Sequence, residues 1–150
     1  SAGKTLALAE SCTGGLVSAR LTDVAGSSAW YLGGVVSYAD AAKVELLGVS
    51  RATLAAHGAV SEETAREMAA GARRRLGSSA GLAVTGIAGP SGGTPGKPVG
   101  TVHVALDADD GTRLHERLSL PGDRSMVRRW TSSAALAMIR AWLGARGGET

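Results

Sequence analysis

Thr5-Leu6-Ala7-Leu8-Ala9-Glu10-Ser11-Cys12-Thr13-Gly14-Gly15-Leu16 is the stretch that decides the fold. Thr5 to Glu10 is short and mostly apolar, the pattern of a strand covered on both faces. Ser11 to Gly15 supplies small, turn-forming residues, and apolar residues then recur with helical spacing from Leu16 to about Val24. Strand, glycine turn and helix in that order open an α/β protein.

The remaining chain continues the alternation. Trp30 to Tyr38 carries valines and aromatics suited to a second strand, and Ala39 to Leu47 reads as a helix closed by Gly48. Arg51 to His57 is a helical turn stopped at Gly58. Ser61 is a good N-cap, Glu62 and Glu63 suit the positive end of a helix, and Ala65, Met68, Ala69, Ala72 and Leu76 keep helical spacing up to Gly77. Leu82 to Thr85 reads as a buried strand and Gly86 to Gly96 as a glycine-rich loop. Val99 to Asp107 and Thr112 to Leu120 form a hairpin across Asp109, Asp110 and Gly111. A last helix from Arg124 to Ala145 turns Val127, Trp130, Ala134, Met138, Ala141 and Trp142 toward the core. These elements predict a three-layer α/β/α sandwich with a mixed, mostly parallel sheet.

Composition bounds the function. The 150 residues, 44% of them hydrophobic, can bury one sizeable core, and no stretch resembles an interdomain linker, so residues 1–150 are expected to form a single domain. The 22 glycines against four prolines cluster between apolar runs and imply tight turns. Cys12 is the single cysteine, which excludes an internal disulfide. With no charged-then-apolar leader and no long apolar run, the expectation is a cytoplasmic protein that neither spans nor binds a membrane. The net charge of +3 does not point to nucleic acid, because the densest basic run, Arg73 to Arg75, falls where a helix ends and cations suit the macrodipole. No metal is expected, since Cys12 lacks a second sulfur ligand and Asp109 with Asp110 belongs to a turn. No cofactor is expected either.

The turn from Glu10 to Gly15 is the first place for chemistry. A serine between a strand end and a helix start lies beside backbone N–H groups that can hold an oxyanion or phosphate, and Gly14 and Gly15 allow close approach. The plainer alternative is that Ser11 or Thr13 only caps the helix. His57, His103 and His115 show no neighbouring carboxylate pattern of a triad and read as structural or surface residues. Lys43 is the better base for Ser11. It shares a helix face with Leu46 and Leu47, so it is either desolvated, with a lowered pKa, or snorkelling with its charge in water. Tyr38, just before that helix, could relay a proton through its phenol or simply be a half-buried strand residue. Thr85, Gly86 and Gly89 open a loop able to cradle a phosphate or ribose, without the spacing of a dinucleotide fingerprint. Arg124, Arg128 and Arg129 begin the last helix, where an arginine could hold a phosphate or remain solvated. Gly3-Lys4-Thr5 imitates the end of a P-loop but lacks its preceding glycine and its following helix.

Ala9-Glu10-Ser11-Cys12-Thr13-Gly14-Gly15, Gly33 to Lys43 with Ser37-Tyr38, His57-Gly58-Ala59-Val60-Ser61, Thr85 to Pro90, Lys97-Pro98-Val99-Gly100-Thr101-Val102 and Gly122-Asp123-Arg124 together resemble the CinA C-terminal domain family, the nicotinamide-nucleotide amidases. The resemblance covers nearly the whole chain. It implies a mixed-sheet α/β/α domain that converts nicotinamide mononucleotide to nicotinate mononucleotide and ammonia, with the family's serine, tyrosine and lysine at Ser11, Tyr38 and Lys43. Glu10, Thr13, Gly14, Gly15, Thr85, Gly86, Gly89, Arg124 and Arg128 are then expected to bind the nucleotide, and a homodimer is expected. The resemblance also leads one to expect a helix ahead of the first strand, which is missing or trimmed here, and nothing in these residues matches the pyrophosphatase domain of larger members. Two rivals remain: a pyridine-nucleotide-binding regulatory module without hydrolysis, and an amidase with Cys12 as nucleophile.

Overall fold

The computed structural model describes residues 3–147. Five strands make one sheet: β1 (Leu6–Glu10), β2 (Tyr31–Val36), β3 (Ala80–Gly86), β4 (Thr101–Ala108) and β5 (Arg113–Ser119), in the order β2-β1-β3-β4-β5. β1 pairs in parallel with β2 and β3, whereas β4 is antiparallel to both β3 and β5. Four strands therefore share one direction and only β4 opposes it, as the predicted hairpin requires.

Strand alternation sorts two cores onto the two faces. Leu6, Leu8, Leu82, Val84, Val102, Val104 and Leu106 pack against α1 (Leu16–Thr22) and α5 (Arg124–Gly147). Their neighbours Ala7, Ala9, Ala83 and Ala105 face Ala65, Met68, Ala69 and Ala72 of α4 (Glu62–Leu76). Leu47 of α2 (Asp40–Leu47) and Leu54 of α3 (Arg51–His57) join that side. The α/β/α sandwich is thus asymmetric, with large side chains on one face and alanine against alanine on the other. The small face lets α4 lie close to the sheet: a Cβ on Gly81 would come within 2.0 Å of the Ala69 carbonyl oxygen. On the other face each fully buried leucine contributes about 1.5–3 kcal/mol.

Several boundaries and faces differ from the sequence reading. α1 ends at Thr22 because its hydroxyl turns back onto the Ser18 and Ala19 carbonyls, and Val24 is left exposed. β2 stops at Val36, so Ser37 and Tyr38 lie in the connection to α2. β4 begins at Thr101, after Gly100 turns the chain with φ 94°. In α5 the buried line runs through Val127, Thr131, Ala135, Met138 and Trp142, whereas Trp130 and Ala141 point to solvent. The displacement arises because Thr131 and Ser132 occupy inward positions, their hydroxyls satisfied by the Val127 and Arg129 carbonyls. Leu46 likewise faces outward while Lys43 and Leu47 face in. Ser61 is the predicted cap, accepting from the Thr64 N–H, and Gly48 and Gly77 close α2 and α4 in the left-handed region.

Residues 87–100 leave β3 and return to β4 at the same end of the sheet. Paired bonds tie the base of this connection, from Ile87 N–H to Thr101 O and from Gly100 N–H to Ile87 O, and Ser91 to Gly96 at its tip are exposed. Among the described residues no helix is long and apolar enough to cross a membrane.

Candidate active site

The carboxyl ends of β1, β2 and β3 meet at one edge. Ser11 follows β1 directly, its N–H donating to Val84 O on β3, and continues the Ala7, Ala9 alternation toward the α4 side. Ser37 follows β2 and donates its N–H to Glu10 O. Lys43, on α2, reaches into this corner and is only 1% exposed. Its Nζ lies 3.0 Å from Ser11 Oγ, 2.7 Å from the Ser37 carbonyl and 3.3 Å from the Tyr38 carbonyl. Of the two alternatives for Lys43, the desolvated one holds, and burial pushes its pKa below the ordinary lysine value.

Nζ donates to three acceptors here, Ser11 Oγ and the Ser37 and Tyr38 carbonyls. A lysine that gives up one proton keeps two N–H donors, enough for the two carbonyls, and has a lone pair for the Ser11 hydroxyl. Among the described residues no carboxylate accepts a hydrogen bond from Nζ; Asp40 favours the ammonium through space, but burial outweighs it. The arrangement is a serine hydroxyl with a buried amine of lowered pKa within hydrogen-bond reach.

Glu10, expected against substrate, serves inside the protein. It is 1% exposed, and its carboxylate accepts from Thr13 Oγ1 (2.6 Å), Val17 N–H (2.9 Å), Ser18 N–H (3.0 Å) and Ser18 Oγ (2.7 Å). The anion at the α1 N-terminus is therefore the protein's own. Thr13 is spent on the same carboxylate. The Gly14 and Leu16 amides bond to Ser11 O and Thr13 O, which leaves the Cys12, Thr13 and Gly15 N–H groups as those of the turn not taken up by these bonds. Gly14 and Gly15 have φ of 58° and 105°, a backbone only glycine adopts without strain.

The Tyr38 phenol is placed differently from the expectation that it bonds Ser11 or Lys43. The side chain is exposed, its hydroxyl accepts from Arg124 Nη2 at 2.8 Å, and the contribution of Tyr38 to Lys43 is its carbonyl. Arg124 also donates to Gly89 O at 2.7 Å and so ties the Tyr38 connection to the glycine-rich loop. Arg128 clamps the serine turn through Nε to Cys12 O and Nη2 to Thr13 O, so two of its donors are committed to backbone. Thr85 is buried with its hydroxyl on Ala59 O, and Gly86 and Gly89 make room for Val102 and Val99, which a Cβ would strike. Thr85 follows Val84, whose carbonyl accepts from the Ser11 N–H, and Gly86 and Gly89 shape the connection beyond it through backbone and packing. Burial raises the Cys12 thiol to about 11, the opposite of an activated nucleophile.

The histidines, unconnected in the sequence reading, gather in a cleft one strand beyond Thr85. His103 Nδ1 and His115 Nε2 are 2.9 Å apart, His115 lies 3.6 Å from Glu62, and His57 lies 3.7 Å from Glu63. Burial, His115, Arg117 and Lys97 push His103 down to about 4. His103 and His115 come from the β4 and β5 hairpin, Glu62 and Glu63 from the start of α4 and His57 from the end of α3, and only the packing of these elements brings them together. Among the described residues no group of His, Cys, Asp and Glu is arranged to hold a metal ion.

The CinA C-terminal domain profile matches residues 1–143. The chain belongs to the CinA C-terminal domain family. It is 56% identical over 146 residues to a CinA-like protein of Mycolicibacterium gilvum, a match covering 97% of this chain and 35% of that protein. This chain thus spans about a third of the length of the curated relatives it matches. Among solved structures, the competence/damage inducible protein CihA of Agrobacterium tumefaciens superposes with a TM-score of 0.91 at 46% identity, covering 93% of this chain and 85% of that one. The competence damage-inducible protein A (ComA) of Klebsiella pneumoniae superposes with a TM-score of 0.90 at 40% identity, covering 95% and 88%. These CinA structures share the mixed-sheet α/β fold described above.

Proposed function

We propose that this chain is an amidohydrolase that converts nicotinamide mononucleotide to nicotinate mononucleotide and ammonia. The observation that carries the reading is the Lys43 Nζ to Ser11 Oγ approach of 3.0 Å in a buried corner where two backbone carbonyls accept the other hydrogen bonds of Nζ. Family membership supports the substrate class.

Lys43 takes the Ser11 proton as Oγ attacks the carboxamide carbon, and the carbonyl pair moves onto oxygen. The Cys12, Thr13 or Gly15 amides stabilise that oxyanion. Lys43 then returns the proton to the departing nitrogen, the C–N bond breaks and ammonia leaves. Water adds to the Ser11 ester as Lys43 accepts its proton, the ester C–Oγ bond breaks, and Lys43 returns that proton to Oγ as the acid departs. Arg124 and the Gly89 loop hold the ribose phosphate end of the nucleotide.

The test is ammonia release from nicotinamide mononucleotide by the wild type, Ser11→Ala and Lys43→Met, each shown to be folded by circular dichroism. Wild-type release reduced by about 10³-fold or more in both variants is the expected result. Wild-type kcat/KM should climb with pH to a plateau, with a midpoint below the ordinary lysine value of 10.5 because the free base is the active form and burial favours it. Undiminished release by Ser11→Ala, or binding without release by the wild type, would overturn the assignment.

A further inference from the structure

Ser37 is 0% exposed, and its hydroxyl has no hydrogen-bond partner among the described residues. Its backbone, by contrast, is fully engaged: the N–H donates to Glu10 O at 2.8 Å and the carbonyl accepts from Lys43 Nζ at 2.7 Å. Val35 packs with the α4-side core and Val36 touches the Gly15 side. The alternation therefore carries the Ser37 side chain toward the α4 side, where Ser11 and Lys43 meet. Alanine would fill this place without a polar atom, and a buried hydroxyl left unpaired disfavours the folded state. A partner that exists only during reaction would account for a serine here.

Lys43 changes its needs in the course of a proton transfer. As a neutral amine it is satisfied by two carbonyls and Ser11. As an ammonium it carries a full charge in a desolvated corner while Ser11 Oγ turns to the substrate carbon. The groups acting on that charge are few: Asp40 on its own helix and Cys12 in the turn after β1. Glu67 of α4 is committed to Ser50 and Thr53, and Glu10 of β1 to α1.

We infer that Ser37 is a positioning residue whose hydroxyl turns a lone pair to Lys43 when the amine is protonated, stabilising the ammonium that forms as Ser11 attacks. The contact is made with the protonated amine and not with the neutral one, so it is gained as Ser11 gives up its proton and accelerates the reaction. No bond other than a hydrogen bond forms, and the proton stays on Lys43 until the departing nitrogen takes it. The inference rests on the amidase reading above for its kinetic consequence, but not for its effect on Lys43.

The experiment compares wild type, Ser37→Ala and Ser37→Thr in three readouts. Thermal unfolding of Ser37→Ala should occur at the same or a higher temperature, because an unpaired buried hydroxyl has been removed. Its kcat for ammonia release should fall by about 10-fold with KM unchanged, and Ser37→Thr should recover most of it. The chain has only three lysines, Lys4, Lys43 and Lys97, so ¹³Cε NMR can follow Lys43 directly. Its pKa should drop by about one unit in Ser37→Ala, because the charged form has lost an acceptor. An unchanged Lys43 titration, or a lowered unfolding temperature with unchanged kcat, would overturn the inference and leave the hydroxyl a structural group. If the NMR shift appears while the wild type releases no ammonia, the Ser37 coupling stands and the amidase reading falls.

Discussion

Replacing Glu10 by glutamine keeps the side-chain volume and alters only what the four donors around it meet. In the native turn each carboxylate oxygen takes two of them: Oε1 accepts from Thr13 Oγ1 and Val17 N–H, and Oε2 from Ser18 N–H and Ser18 Oγ. A glutamine amide retains one acceptor oxygen and turns its NH₂ toward the other two donors. The hydroxyl of that pair can rotate and accept; the backbone N–H cannot. One buried N–H left unpaired costs about 1–3 kcal/mol. Loss of the carboxylate at the α1 N-terminus adds about 0.3–1 kcal/mol, and up to about 2 in buried settings. The sum is about 3 kcal/mol, a large part of the roughly 5–15 kcal/mol that holds a domain folded. For a chain of 150 residues this corresponds to a fall in Tm of about 6–12 °C. Calorimetry and urea unfolding at neutral pH measure it, and ammonia release should decline alongside, since the carboxylate fixes Thr13 beside Ser11. A Tm within about 2 °C of the parent would refute the reasoning and show that Glu10 is not what organises the turn.

Gly71→Ala should be more disruptive than its chemistry suggests, because a Cβ there would lie 1.9 Å from the carbonyl oxygen of Leu47, the last residue of the helix that carries Lys43. A loss of about 1–3 kcal/mol or more and a reduced kcat are expected; an unchanged Tm would contradict the packing. His103 titrates near 4 in the folded chain against an ordinary 6.5, so the unfolded chain binds its proton more readily. That stability is fully present above 6.5 and is lost as pH falls through 4. His103→Gln should flatten the acid side of the stability curve by about 1–2 kcal/mol, and equal slopes for parent and variant would exclude this source.

The parts of the fold that were legible are those in which one local rule suffices. Ser61 with Glu62 and Glu63, the glycine stops at Gly48 and Gly77, and the Asp109 to Gly111 turn each identify themselves within a few residues. Inward-facing polar residues were not legible: Thr131 and Ser132 bury hydroxyls on their own helix, so counting apolar residues turned α5 toward Trp130 and Ala141. Ser11 and Lys43 stood out in the sequence, but whether the amine was buried depended on β2 and α4, which periodicity in an eight-residue helix does not reveal. Tyr38 illustrates the same limit. Its position next to the lysine was visible, whereas the direction of its phenol depends on Arg124, far away in the chain. Glu10 looked like a ligand contact because two of its partners are the backbone amides of Val17 and Ser18, which carry no side-chain signature, and the other two are common hydroxyls of Thr13 and Ser18.

The connection between β3 and β4 starts and finishes on one edge, with its base fastened and its tip in solvent. Lengthening such a segment adds little entropic cost, about 0.6 kcal/mol for a doubling. Ser11 and Lys43 stand on other elements and would not register the change. The length and composition of this rim can therefore change by insertion and deletion while Ser11 and Lys43 stay in place, so the part of the protein most tolerant of alteration lies beside its most tightly fixed pair.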